Sequence, residues 1–290
     1  MISKSDLILN PDHSIYHLNL HPEELADTII LVGDKDRVGL ISSLFDKTEV
    51  RKEKREFITH TGYYRNKRLS ILSTGIGTDN IDIVVNEIDA LKNIDLQSFE
   101  PKQKTTQLNF IRIGTCGAIH PENEPGSAIV SRMAIGLDNL NHFYNFRLTD
   151  DELVIREKIS QHLSQAGINL PFYIQSSSQQ LFDLFSSDYP SGITVTAPGF
   201  YAPQGRVLRL QHPYKKLVDI FASFNFQDLH IVNFEMESSA LFGLSRLFRH
   251  QAITINLVIA NRHLRQVNVS YHQAMLNLAG NILDKLVQLV

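Results

Sequence analysis

Glu235 and Glu237 flank Met236 where an apolar run, Leu229 to Val232, gives way to a helical stripe of Met236, Ala240, Leu241, Leu244, Leu247 and Phe248. Carboxylates in a first helical turn are ordinary, because free N–H groups and the helix dipole favour negative charge there. The same pair can also serve as fixed acceptors for the hydroxyls of a sugar, with Met236 as an apolar wall. Arg112 lies inside an apolar run, Phe110 to Ala118, broken by Gly114 and Gly117. A guanidinium in such a strand is costly unless an anionic ligand or a structural carboxylate meets it, and both readings stay open. The loop Ala197–Arg206 holds Phe200, Tyr201, Gln204 and Arg206, the mixture suited to stacking a planar ring and bonding its polar edge. It is also rich enough in proline and glycine to be a plain surface loop.

These residues need a scaffold. Thr28 to Val32 is a short continuous apolar run, as in a buried strand, and Gly33-Asp34-Lys35-Asp36-Arg37 leads into a helical pattern of Val38, Ile41, Leu44 and Phe45. Strand, glycine turn and helix start present backbone N–H groups to an anion, although the P-loop ending is absent. Phe57–His60 and Leu69–Leu72 read as a strand pair, and Ser73–Thr78 as a small-residue turn. A helix follows with Ile81, Val84, Val85, Ile88 and Leu91 on one face. Residues 93–107 are polar and aperiodic and read as a surface insertion. Further strands are expected at Ser127–Met133, Phe172–Ile174, Ile193–Thr196 and Ile253–Ile259. Helices are expected from the Thr149–Glu152 capping box to a Gly167 stop, over Lys215–Phe224, and from about Ser270. Residues 1–27 read as an irregular arm in which His17 is by itself a solvated or capping histidine. Strands alternating with helices along 290 residues indicate an α/β fold.

Composition narrows the class. Hydrophobic content of 43% and charged content of 20% are globular values, and a net charge of −3 argues against a nucleic-acid or membrane surface. The only basic cluster, Arg51 to Arg55, is interrupted by Glu53. A single cysteine, Cys116, excludes an internal disulfide, and with no apolar leader segment the expectation is a soluble cytoplasmic protein. Cys116 reads as a buried filler rather than a nucleophile. Twelve histidines carry no zinc-type spacing, so no metal cofactor is expected from them.

Taken in order, the motifs resemble the nucleoside phosphorylases of the trimer-and-hexamer class, and within it the uridine phosphorylases. They are Gly33-Asp34-x-x-Arg37, Arg55-Glu56-Phe57, Ser73-Thr74-Gly75-Ile76-Gly77, Arg112-Ile113-Gly114-Thr115-x-Gly117, Phe200-Tyr201-x-x-Gln204-x-Arg206, Glu235-Met236-Glu237-Ser238 and Asn261-Arg262. The resemblance spans nearly the whole chain. It implies a three-layer α/β/α sandwich around a mixed sheet, one nucleoside phosphorylase domain over residues 1–290, and homo-oligomers from dimer to hexamer with active sites shared across the dimer interface. It implies no required cofactor and phosphate as co-substrate. Gly33, Arg37, Arg112 and Thr115 would hold phosphate, with Arg55 reaching in from a neighbour. Met236 and Glu237 would position ribose, alongside Glu235 and a neighbour's His17. Phe200, Gln204, Arg206 and Arg262 would receive the base. Arg206, Gln204, Glu237 and Arg112 would carry catalysis. Residues matching Glu56, Ile76 and Asn80 can hold a potassium ion in such enzymes.

The chain departs from the family pattern in three places. The 93–107 insertion is longer than the usual connection. Gly205 stands where an acidic residue usually separates the glutamine from the arginine. Thr78-Asp79-Asn80 replaces the usual Gly-Pro-Ser. No aspartate lies between Ile259 and Val267, where purine-specific relatives carry a proton-donating acid, which favours uridine. The alternatives are a purine nucleoside phosphorylase, a nucleosidase of the same fold, which would have no use for Arg37, Arg55 and Arg112 together, and an idle nucleoside-binding protein.

Overall fold

In the computed structural model, residues 2–214, 216–268 and 270–289 are described. The strands are β1 (Thr28–Val32), β2 (Lys47–Lys54), β3 (Phe57–Tyr64), β4 (Lys67–Ser73), β5 (Ile94–Asp95), β6 (Glu100–Pro101), β7 (Asn109–Ala118), β8 (Ala128–Gly136), β9 (Tyr173–Ser176), β10 (Ser191–Thr196), β11 (Asn225–Phe226), β12 (Leu229–Glu235), β13 (Gln251–Asn261) and β14 (Gln266–Val267). The helices are α1 (Asp36–Ser42), α2 (Thr78–Asn93), α3 (Asp150–Gln165), α4 (Gln179–Phe185), α5 (Leu217–Ala222), α6 (Ser238–Leu247) and α7 (His272–Leu286).

Twelve strands form one mixed sheet in the order β11-β12-β10-β8-β13-β7-β1-β4-β3-β2, with β9 beside β8 and β14 beside β13. β12 also returns to pair with β7 through Asn233 and Phe234, opposite Ala118 and Gly117, so five strands close on themselves. β1 is buried at all five positions because it lies between β4 and β7, parallel to both. Helices α2 and α6 pack their apolar stripes on one side, with Ile81, Val84, Val85, Ile88, Leu241 and Leu244 in one core. On the other side α1, α4 and α7 contribute Val38, Ile41, Leu181, Phe185, Leu278 and Ile282 to a second core. A third core, under α3 and α5, holds Ile155, Ile159, Leu163 and Phe221. The layers are helix, sheet and helix, the sandwich that the resemblance implies.

Several elements differ from the sequence expectation. β2 had no expected counterpart, because its KTEVRKEK run carries charges on both faces; it is an edge strand with both faces partly wet, so no hydrophobic period marks it. The β3–β4 pair is longer than expected and turns at Arg65 and Asn66, both at positive φ. α1 stops at Ser42, leaving Leu44 and Phe45 in the turn that follows. α4 was unforeseen, being seven residues capped by Ser178. The expected helix from Lys215 spans Leu217–Ala222, with Lys215 itself outside the described residues, and the last helix begins at His272 rather than near Ser270. The 93–107 insertion contains the β5–β6 hairpin, whose Phe99 carbonyl accepts the N–H of Ile2 and pins the start of the arm.

No helix of the described residues is long and apolar enough to cross a membrane.

Candidate active site

The carboxyl ends of β1, β4, β7, β12 and β13 converge on a cavity of about 1010 Å³, where ligands gather in open α/β sheets. Its lining includes Gly33, Arg37, Arg112, Thr115, Phe200, Gln204, Arg206, Glu235, Met236, Glu237 and Arg262. Motifs spread over 230 residues of chain are thus brought to one place.

At one end, Arg112 leaves β7 almost fully buried, 3% exposed. Its Nη2 donates to Glu237, and its Nη1 lies 3.7 Å from Glu235 and 3.4 Å from Asn256 Oδ1. Of the two readings left open for this arginine, the carboxylate partner is present. Yet its Nε is buried with no partner, and so is the Nε of Arg37. Arg37 and Arg112 both line the cavity, and two guanidiniums there suit an anion. Arg37 also reaches Thr115 Oγ1 at 3.4 Å and the Tyr271 hydroxyl at 3.5 Å. Gly114 is a glycine for a spatial reason: a Cβ there would overlap Nη1 of Arg112 and Oδ1 of Asn256.

The two glutamates do different things. Glu235 ends β12 and accepts from the Thr196 hydroxyl at 2.5 Å and from the N–H groups of Glu237 at 3.0 Å and Ser238 at 3.0 and 3.1 Å. It caps the first turn of α6, the ordinary helix-start reading of the Glu-x-Glu pair. Glu237 instead accepts the N–H of Gly77 at 2.8 Å, which a φ of +102° aims at it. Burial pushes the Glu237 carboxyl above its ordinary value, while the charge of Arg112 opposes that shift. Both carboxylates line the cavity, but only Glu237 is left without a cap to hold.

At the other end, Gln204 is 2% exposed, and its Oε1 accepts from Arg206, whose Nη1 also donates to the Phe200 carbonyl at 2.6 Å. The Arg206 guanidinium sits 3.8 Å from the Phe200 ring centroid. Arg262 donates through Nη1 to the Gln204 carbonyl at 2.8 Å and approaches the Gly205 carbonyl at 3.4 Å. Burial, and after it the charge of Arg262, brings Arg206 down to about 10, and burial lowers Arg262 as well.

Arg55 and His17 are not in the lining. Arg55 is exposed at φ +56°, its guanidinium 5.6 Å from the Tyr16 ring, and the His17 ring lies 4.8 Å from that same ring. His17 Nδ1 is 2.6 Å from Glu87 Oε1, whose carboxylate also accepts the N–H groups of His17 and Leu18. The two expected partner-donated residues therefore share one surface patch. Glu56, Ile76 and Asn80 line the cavity near Gly75, and Asn80 Nδ2 donates to the Ile76 carbonyl at 3.3 Å. Among the described residues no group of three or more His, Cys, Asp or Glu could hold a metal ion. Cys116 is buried, and burial pushes its thiol up, away from nucleophilic use.

Sequence reasoning missed Asn256, Tyr271 and Arg265. Asn256 could have been flagged as a lone amide inside the apolar run Ile253–Ile259, but Tyr271 and Arg265 carry no signal until the chain is folded.

The chain as a whole matches known proteins. Residues 27–289 match the family model described as the phosphorylase superfamily. A uridine phosphorylase of Thermococcus kodakarensis is 30% identical over 250 residues, 85% of this chain and 77% of that one. A DeoD-type purine nucleoside phosphorylase of Bacillus cereus is 28% identical over 240 residues, 82% of this chain and 83% of that one. Among solved structures, a Trypanosoma brucei nucleoside phosphorylase described as showing uridine phosphorylase activity superposes with a TM-score of 0.87 at 28% identity, covering 98% of this chain and 100% of that one. The chain belongs to the phosphorylase superfamily and is an enzyme of the nucleoside phosphorylase class.

Proposed function

We propose that the enzyme is a uridine phosphorylase, converting uridine and phosphate to uracil and ribose 1-phosphate. The observation that carries this reading is the base end of the cavity, where Gln204 and Arg206 stand together and no aspartate lies between Ile259 and Val267. A uracil edge presents acceptor, donor and acceptor in turn, which a carboxamide and a guanidinium can match.

Phosphate sits on the donors of Arg37, Arg112, Thr115 and the Gly33 turn, and Arg55 joins from a second copy of the chain. Glu237 and the Met236 wall hold the ribose, with Glu235 fixing the turn that carries them and a neighbour's His17 meeting the 5′-hydroxyl. The bond from C1′ to the base nitrogen stretches first, and its electron pair moves into the pyrimidine, where Arg206 and Gln204 are aimed at the growing negative charge. The sugar gains oxocarbenium character, and a phosphate oxygen then bonds C1′. Phosphate is already an anion, so no general base is needed and positioning does most of the chemistry. The active sites then require at least a dimer. Glu56, Ile76 and Asn80 line the cavity near Gly75, and their oxygens would supply the ligands of a monovalent cation at that interface.

The purine reading keeps a place because a DeoD-type relative is nearly as similar as the uridine phosphorylases. One assay separates the readings: base release from uridine and from inosine, each with and without phosphate. Phosphate-dependent uracil release with inosine inert is the expected result. Inosine turnover would overturn the base assignment, and release without phosphate would overturn the role of the arginines.

A further inference from the structure

The arm that carries His17 is folded against α2. Ile15, Leu18 and Leu20 are buried in the same core as Ile81, Val84, Val85 and Ile88 of that helix. Ile15 donates its N–H to the Leu20 carbonyl at 2.9 Å, and Asn19, at φ +55°, donates back to the Ile15 carbonyl at 3.0 Å. Residues 15–20 therefore make a closed turn that buries its apolar side chains and leaves Tyr16 and His17 partly exposed. Lys54 closes the turn from β2, donating to Asn10 Oδ1 at 2.7 Å and to the Tyr16 carbonyl at 2.5 Å.

Glu87 meets this turn from the flank of α2. Its carboxylate accepts the N–H of His17 at 3.0 and 3.1 Å and that of Leu18 at 3.0 Å. Those backbone bonds are enough to hold the arm. The contact of Oε1 with His17 Nδ1, at 2.6 Å, does something else. A carboxylate only accepts, so the hydrogen of a neutral imidazole stays on Nδ1 and Nε2 is left as an acceptor. Among the described residues Nε2 has no hydrogen-bond partner, and the side chain is 26% exposed. Tyr16 and Phe57 stand edge-on to the ring, which cannot turn over without losing Glu87. One helix thus has two duties. Gly77 at its start donates to Glu237 in this chain's own cavity, while Glu87, ten residues further on and so about 15 Å along the axis, aims a histidine outwards.

We propose that Glu87 is a positioning residue for the reaction: it holds His17 with Nε2 as the acceptor for the nucleoside 5′-hydroxyl in the cavity of a second copy. This rests on the proposed function, in which His17 meets that hydroxyl, and adds the residue through which it does so. Glu87 makes no bond to substrate, so its contribution passes entirely through the imidazole.

The test compares kcat/KM for uridine and for 5′-deoxyuridine, which lacks only that hydroxyl, in the whole protein. The wild type should favour uridine by about tenfold, the upper end of what one hydrogen bond between uncharged groups contributes. His17→Ala should bring the ratio to about one, and Glu87→Ala should bring it close to the same value. A residue that merely anchored the arm would lower both substrates together and leave the ratio alone. Because Glu87 acts through His17, the double variant should show the ratio of His17→Ala and no further loss. A ratio that falls in His17→Ala but keeps its wild-type value in Glu87→Ala overturns the proposal and leaves the functional reading standing. A wild-type ratio near one, or one that His17→Ala does not change, overturns the role of His17 and the proposal with it. Failure of the wild type to turn over uridine overturns the functional reading itself. If Glu87→Ala does not fold, Glu87→Gln decides. Its amide keeps an acceptor for the backbone N–H groups but offers an N–H to Nδ1, which moves the ring hydrogen to Nε2. A lowered ratio then supports the proposal, and an unchanged one overturns it.

Discussion

Arg112 and Arg206 are guanidiniums in the same cavity that the fold accommodates in opposite ways. Arg112 is buried against Glu237 and Glu235, so its charge is compensated inside the protein, and its loss would strand two buried carboxylates. Arg206 rests on carbonyl oxygens and the face of Phe200, and the charge of Arg262 adds to burial in lowering it. The first arrangement is stable without a ligand and is organised around fixed ion pairs. The second carries uncompensated charge that only a ligand can use. The difference follows from position: Arg112 lies within β7, enclosed by sheet and helix, whereas Arg206 sits in a loop at the cavity mouth, where solvent tolerates an unpaired charge.

Substitutions can break that contrast. The largest effect is expected for Arg112→Ala, which should lower stability by about 3–5 kcal/mol through the stranded carboxylates. It should also reduce phosphate-dependent turnover by at least about 10³-fold through the loss of a fixed charge. Thermal unfolding and a phosphate titration measure the two parts, and a stable, active variant would refute the central role given to this residue. Arg206→Ala should spare the melting temperature and lower kcat by about 10²-fold, with a much smaller rise in KM, because its contribution grows in the transition state. A rise in KM with kcat intact would show instead that it only binds the ground state.

Gly114→Ala sharpens the comparison without removing any charge. Its Cβ would push Arg112 from Asn256, and a displaced ligand group should cost about 10²-fold in kcat/KM for phosphate. Equal losses for phosphate and nucleoside would point to general damage rather than to Arg112.

The smallest effect on activity is expected at a paired arginine far from the cavity. Burial by itself would raise the Glu152 carboxyl, but hydrogen bonds from Arg246 and from the N–H groups of Thr149 and Ser176 outweigh it and hold it down at about 2. A depressed folded-state pKa means that this stabilisation is complete above the ordinary carboxylate range, near pH 4.5, and is lost as pH falls from there towards 2. Arg246→Met should lower the melting temperature at pH 7, lose less than the wild type on acidification, and leave turnover unchanged. A wild-type-like acid profile in the variant would remove Glu152 from the account of acid stability.

Much of this was legible in the chain because the signals are local. The run Thr28–Val32 announces a strand buried on both faces, the Thr149–Glu152 box announces α3, and both are present with the bonds the motif requires. β2 was not legible, since an edge strand wet on both faces has no reason to alternate in hydrophobicity. α4, seven residues long, was not read from the sequence. In the site, residue types at motif spacing were enough to nominate Arg112, Glu237, Gln204 and Arg206, because such groups are rarely placed in apolar or glycine-rich settings without a partner.

Their partners were another matter. Composition and motif order by themselves determined the fold class, the family resemblance and most of the polar residues gathered in one cavity. Only the tertiary structure decided that Glu235 caps a helix while Glu237 faces Arg112, that Asn256 steadies the same arginine, and that Arg262 clamps the loop carrying Gln204 beside an unbalanced Arg206. Residue type is written in the sequence, but compensation of charge depends on distances of a few ångströms between segments over a hundred residues apart, and those distances exist only once the strands have paired.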